Sequence, residues 1–205
     1  MRAVSDGQVR TVTGISSAIG GVAWVVACFV HNSLPQGCID EQCADRTMRG
    51  SSPVATTLFV MAGLMLAISG IGLLLLTHQR RPVGRLGALA ATTAALGLLL
   101  LGAAAVMSAV DNDWNGMPGL VIPGIFLLAV GLVLVAWVVL RARVVPTSLA
   151  ALLVVTALLL PFANEQTSRI LLAVPFGITW LVLGLVLLRD PGRRRSRPPS
   201  LAIGE

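Results

Sequence analysis

The sequence predicts an all-α, polytopic membrane protein: six transmembrane helices, arranged as three helical hairpins, with both termini in the cytoplasm. Three observations carry that expectation. The 205 residues are 56% apolar and only 12% charged, with a mean hydropathy of +0.87. A water-soluble domain of this size carries about 25% charged residues. Six apolar stretches approach the ~20 residues that a helix needs to cross a bilayer, and none of them contains a charged side chain. Runs such as GLLLL and LVLVAWVVL lack the alternation of a membrane β-strand, so the spans are helices.

The spans are expected at 12–30, 54–77, 86–110, 120–140, 144–163 and 170–188. The fifth is the weakest, because it holds Thr147, Ser148 and Thr156 and carries Pro161 near its end. Residues 1–11 form a cytoplasmic N-terminus, 12–188 the membrane bundle with an outer loop at 31–53, and 189–205 a basic disordered tail.

Orientation follows from arginine. All 15 basic residues are Arg, in a chain of net charge +6. Twelve of them flank one side: Arg2, Arg10, Arg80, Arg81, Arg85, Arg141, Arg143, Arg189, Arg193, Arg194, Arg195 and Arg197. Arg46, Arg49 and Arg169 flank the other, together with Asp40, Glu41, Asp45, Asp111, Asp113 and Glu165. The positive-inside rule places the richer side, and hence both ends of the chain, in the cytoplasm. Heavy Ala, Gly, Val, Leu and Arg usage fits a GC-rich bacterium, so the expected location is a bacterial plasma membrane. Nucleic acid is not an expected partner despite the pI near 11.2, because the arginines sit beside apolar spans. Arg193, Arg194, Arg195 and Arg197 are expected to meet anionic lipid head-groups.

The first span also resembles a signal sequence, and Val25-Val26-Ala27-Cys28 resembles a lipoprotein cleavage box. Phe29 and Val30 continue the apolar run beyond the cysteine, which favours a retained helix.

A hairpin repeat is suggested by the outer ends of spans one, three and five, which close on Asn32, Asn112 and Asn164. Asn112 and Asn164 each precede a proline by eleven positions, Pro123 and Pro175. Glycines recur seven apart as Gly14 and Gly21, Gly63 and Gly70, Gly124 and Gly131, and Gly177 and Gly184. Seven residues is close to two helical turns, so each pair shares one face and lets helix backbones approach. Gly87 and Ala91 offer the same in span three.

Cys38 and Cys43 flank four residues of the outer loop and are expected to form a local structural disulfide in an oxidising compartment. Thiol-redox chemistry is disfavoured: there is no Cys-x-x-Cys, and Asp40, Glu41 and Asp45 would raise the thiol pKa. A zinc site on Cys38, Cys43 and His31 lacks a fourth ligand, so no metal is expected.

The chemistry-bearing motifs of enzymes are absent. No Lys rules out Schiff-base and Walker-type chemistry. No ionisable group lies within a span, which disfavours proton-coupled transport and voltage sensing. There is no Gly-x-Ser-x-Gly elbow and no cofactor motif, so no cofactor is expected. The densest polar group is the outer rim: His31, Asn32, Asp111, Asn112, Asp113, Asn164, Glu165 and Arg169, with Trp114 as an interface anchor. Two functions compete. The first is non-enzymatic: binding or passage of a lipid-like or small apolar molecule, or service as an accessory subunit with a membrane-protein partner. The second is an outer-face enzyme or sensor using His31, Asp111, Asp113 and Glu165, or the cysteine pair.

Overall fold

The computed structural model describes residues 5–38, 49–50, 52–110 and 116–189. Every regular element among them is helical: α1 (Asp6–Asn32), α2 (Pro53–Arg80), α3 (Gly84–Val110), α4 (Met117–Arg141), α5 (Thr147–Leu159) and α6 (Val174–Arg189). Short 3-10 segments, Leu160–Phe162 and Ser168–Ala173, link α5 to α6. Asp111, Asn112, Asp113, Trp114, Cys43 and the tail arginines Arg193, Arg194, Arg195 and Arg197 lie outside the described residues.

Local chemistry sets the helix ends. Ser5 accepts from Gln8 N–H while the Gln8 side chain reaches back to the Ser5 N–H, a capping box that starts α1. Ser52 caps α2, and Pro53 follows where a missing N–H does no harm. The end of α4 is closed by bonds from Val144 N–H to Val139 O and from Arg143 N–H to Leu140 O, a Schellman closure. It puts Arg143 at φ +52°, a left-handed conformation that favours glycine.

Among the described residues five helices are long and apolar enough to cross a membrane, the last counted from Ser168 through Arg189. The fifth apolar helix, Thr147–Phe162, is shorter. Pro146 stands at its start and Pro161 opens the 3-10 turn at its end, so the expected span of 144–163 is cut from both sides. The sixth also begins later as α-helix than expected. Pro175 cannot donate to Leu171, and Val174 N–H bonds Leu171 O three residues back, leaving the preceding turn as 3-10.

Packing departs from three equivalent hairpins. The α1–α2 and α3–α4 pairs pack closely, but α6 packs mainly on α1, and α5 rests more on α4 than on α6. The glycines explain both seams they occupy. On α1–α6, a Cβ built on Gly21 would lie 2.5 Å from Gly177 O, and one on Gly184 2.6 Å from Gly14 O. The two seven-residue pairs therefore face each other in antiparallel order. On α3–α4, a Cβ on Gly97 would lie 2.8 Å from Gly124 O, and one on Gly131 2.5 Å from Ala94 N. The α3 seam runs through Ala90, Gly97 and Ala104, all buried, whereas Ala91 is exposed and a Cβ on Gly87 would meet its own Val83. Gly63 and Gly70 depart from the expectation too: a Cβ on either meets nothing within 4 Å. On α2 it is Gly72 that is pressed against a neighbour, Thr13. Spacing puts glycines on one face; which face is covered depends on the partner helix.

Hydroxyls add two ties between helices. Ser17 Oγ donates to Trp180 O at 2.7 Å, and Ser69 Oγ to Thr13 O at 3.3 Å. Thr13, Thr77, Thr156 and Thr179 instead bond back to their own helix. Trp24 meets Phe59 and Phe176 edge-on, and Phe176 meets Trp180 in the same way, a chain of aromatic contacts across α2, α1 and α6. The Trp24 Nε1–H is satisfied by Ala173 O at 3.0 Å.

The start of α1 and the end of α6 lie at the same end of the bundle, where Arg10 Nε donates to Leu187 O. Arg80 Nη1 donates to Arg143 O at this arginine-rich end, and Arg141 stacks 5.0 Å over Trp137. The opposite, rim end holds His31, Arg49 and the α5–α6 connection.

Candidate functional site

The rim end has two faces built on one strip of chain, residues 163–168 between α5 and α6. One face is a polar knot. Its centre is Arg49, a residue that sequence reasoning treated only as one of three outer arginines. Arg49 is 5% exposed. Its Nε donates to Pro35 O at 2.9 Å, and its Nη1 to Glu165 O at 2.7 Å and Thr167 O at 3.5 Å. Its main-chain N–H donates to Gln166 Oε1 at 2.7 Å, while Gly37 N–H donates to Gln166 O. His31 Nε2 donates to Glu165 O at 3.2 Å and its ring lies edge-on to Phe59.

This knot ties the α1–α2 connection to the α5–α6 connection. Main-chain oxygens, joined by the side-chain Oε1 of Gln166, do the binding, since loops at a helix end leave carbonyls without ladder partners. Burial holds the Arg49 guanidinium below its ordinary range, and the negative charge of Glu165 opposes that shift. Arg49 Nη2 is buried and makes no hydrogen bond. Gly37 is required by the closeness of the strands of chain, because a Cβ there would run into Gln166 Oε1 and Arg49 N. Cys38 follows it, 2% exposed; Cys28, buried in α1, is a free cysteine among the described residues.

The other face of the strip is a notch. It is an open cavity of about 420 Å³ lined by Pro161, Phe162, Ala163, Asn164, Arg169 and Leu172. The shortness of α5 creates it. Thirteen residues of α-helix and three of 3-10 rise ~26 Å, less than the ~30 Å hydrocarbon core. Phe162 is left 67% exposed at that end. Asn164 Oδ1 accepts from Gln166 N–H at 2.8 Å, an Asx-type turn that sets the strip's bend. Thr167 Oγ1 accepts from Arg169 N–H and opens the next 3-10 turn, from which the exposed Arg169 side chain projects without a hydrogen-bond partner among the described residues.

Of the expected rim residues, the structure brings His31 and Glu165 together in the knot and Asn164 and Arg169 together in the notch. Asn32 ends α1, half-buried. Asp111, Asn112 and Asp113 lie outside the described residues. Among the described residues no three of His, Cys, Asp and Glu gather as a metal site. His31 is engaged with a main-chain oxygen, and no described hydroxyl is hydrogen-bonded to it as a nucleophile would be. A smaller cavity of about 140 Å³ at the arginine-rich end is bordered by Asp6, Arg10, Gln79, Arg80 and the end of α6. The signal that could have singled out Arg49 is its place: an arginine directly before Gly50-Ser51-Ser52, four residues before a helix, on the side where arginine is scarce.

No protein-family model matches the chain, and no curated protein or solved structure matches it either.

Proposed function

We propose that the chain is a multi-pass protein of a bacterial plasma membrane that holds a lipid-like amphiphile at the notch and performs no covalent chemistry on it. The lining of the notch carries this reading. Four apolar residues and two polar ones share a cavity of about 420 Å³. Small-molecule sites join apolar lining to a few polar groups, and a short α5 would set the notch where acyl chains meet head-groups. Equilibration of the detergent-released protein with one defined phospholipid, followed by native mass spectrometry, should give a saturable one-to-one adduct. Phe162→Ala with Leu172→Ala should weaken it about fivefold, by removing apolar contact, with melting unchanged. Equal adduct formation by the double variant would overturn the reading.

Six passages with both ends cytoplasmic go with this proposal. The shared end of α1 and α6 and the gathering of Arg10, Arg80, Arg141 and Arg143 there support it. The Cys38–Cys43 disulfide, which the burial of Cys38 supports, belongs to the proposal as well.

A second reading, an accessory subunit, is favoured by α3. That helix packs on α4 with only a light touch on α2, and leaves Leu89, Leu96, Leu99, Val106 and Val110 uncovered. Photo-crosslinkers at Leu99 in native membranes should then capture a partner protein; capture of lipid alone would remove this reading.

A further inference from the structure

Resting on the notch reading above, we infer that the ligand is an anionic phospholipid, its head-group phosphate meeting the Arg169 guanidinium and an acyl chain running along Phe162 and Leu172. The polar lining consists of donors. Arg169 offers only N–H groups, and they have no partner among the described residues. Asn164 has its amide oxygen engaged by Gln166 N–H, which leaves its NH₂ to offer. Two neighbouring donor groups and no lining carboxylate suit an acceptor-rich anion.

The acid adjacent in sequence does not spoil this. The Glu165 charge is felt by His31 and Arg49, on the knot side of the strip, and Glu165 does not line the notch. The guanidinium fork matches phosphate geometry better than a point charge would. The rest of the lining favours a lipid over a bare ion. Pro161, Phe162, Ala163 and Leu172 give an inorganic phosphate nothing to bind, whereas a lipid places hydrocarbon against them. An α5 shorter than the hydrocarbon core would set the notch where a lipid offers both head-group and chain.

The test uses the full chain in detergent, titrated with phosphatidylglycerol and phosphatidylcholine of identical acyl chains, with native mass spectrometry as the readout. Phosphatidylglycerol should bind about tenfold more tightly, because its phosphate charge is uncompensated whereas the choline cation offsets that of phosphatidylcholine. Arg169→Gln should level the two lipids by weakening phosphatidylglycerol more than phosphatidylcholine, and Arg169→Lys should keep part of the preference. Millimolar inorganic phosphate should leave the lipid complex intact. Equal binding of the two lipids by the unaltered protein would overturn the inference, as would a preference that survives Arg169→Gln and so arises elsewhere, for example in the arginine-rich tail. Displacement by inorganic phosphate would assign the site to a free anion instead. In those cases the notch reading stands as long as the Phe162 and Leu172 variants still lose lipid. No saturable adduct with either lipid would end both.

Discussion

Arg49 Nη1 donates to the main-chain oxygen of Glu165 at 2.7 Å, so the buried cation of the rim is joined to its acidic neighbour through backbone. The carboxylate contributes only its field. The bond holds the α5–α6 strip from one side while the notch opens on the other.

That arrangement separates two substitutions which look equivalent in sequence. Arg49→Met removes the donors to Pro35, Glu165 and Thr167 oxygens and should lower stability by about 2–3 kcal/mol, given what hydrogen bonds to charged groups contribute. Glu165→Gln keeps the accepting oxygen and should change stability by less than about 0.5 kcal/mol, as an exposed charge does. Equal losses in thermal melts of the detergent-solubilised variants would show that the carboxylate, not the carbonyl, is the partner that matters.

The glycines make a second separation. Gly21→Ala and Gly184→Ala each press a Cβ against backbone of the facing helix, which cannot swing away, and should cost about 1–3 kcal/mol. Gly63→Ala and Gly70→Ala add a methyl to open space and should be neutral or stabilising by up to about 1 kcal/mol through helix propensity. If α2 paired through Gly63 and Gly70 with another helix in the membrane, these two would instead reduce a crosslinked species in native membranes.

Arg143 sits at φ +52° in the closure of α4. Replacing it by glycine relieves the left-handed strain, while Arg80 keeps its acceptor, which is the main-chain oxygen. Arg143→Gly should raise stability by about 0.5–1 kcal/mol, and Arg143→Val should lower it. A melting temperature that falls for the glycine variant would mean that the Arg143 side chain has a role of its own at that end.

Cysteine counting tests the proposed disulfide. Alkylation of the denatured, unreduced protein should modify one cysteine, Cys28, and alkylation after reduction all three. Three modified cysteines without reductant would remove the Cys38–Cys43 bond. Because the loop is also held through Gly37 and Arg49, reduction by itself should leave the knot in place.

Much of the bundle was legible in the chain. Val12 to Val30 or Leu120 to Leu140 could be nothing but helix, because a backbone in hydrocarbon has to satisfy its own hydrogen bonds and every uninterrupted apolar run shows itself. Pro161 marked the weak fifth helix. The seven-residue glycine pairs marked faces of close approach, yet two of the four pairs on one seam turned out to be partners, Gly14 and Gly21 against Gly184 and Gly177, and the α2 pair faces outward.

The helical class, the approximate spans and the crowding of arginine at one end follow from local composition and from the free energy of moving each side chain into lipid. It took the packed bundle to reveal that α6 packs on α1 rather than chiefly on α5, that Arg49 lies buried among carbonyls, and that Asn164 and Arg169 share a notch while His31 and Glu165 share a knot. Those are contacts between residues more than a hundred positions apart, or opposite sides of one bend. No local pattern encodes them, because they depend on which surfaces meet once all the helices have packed.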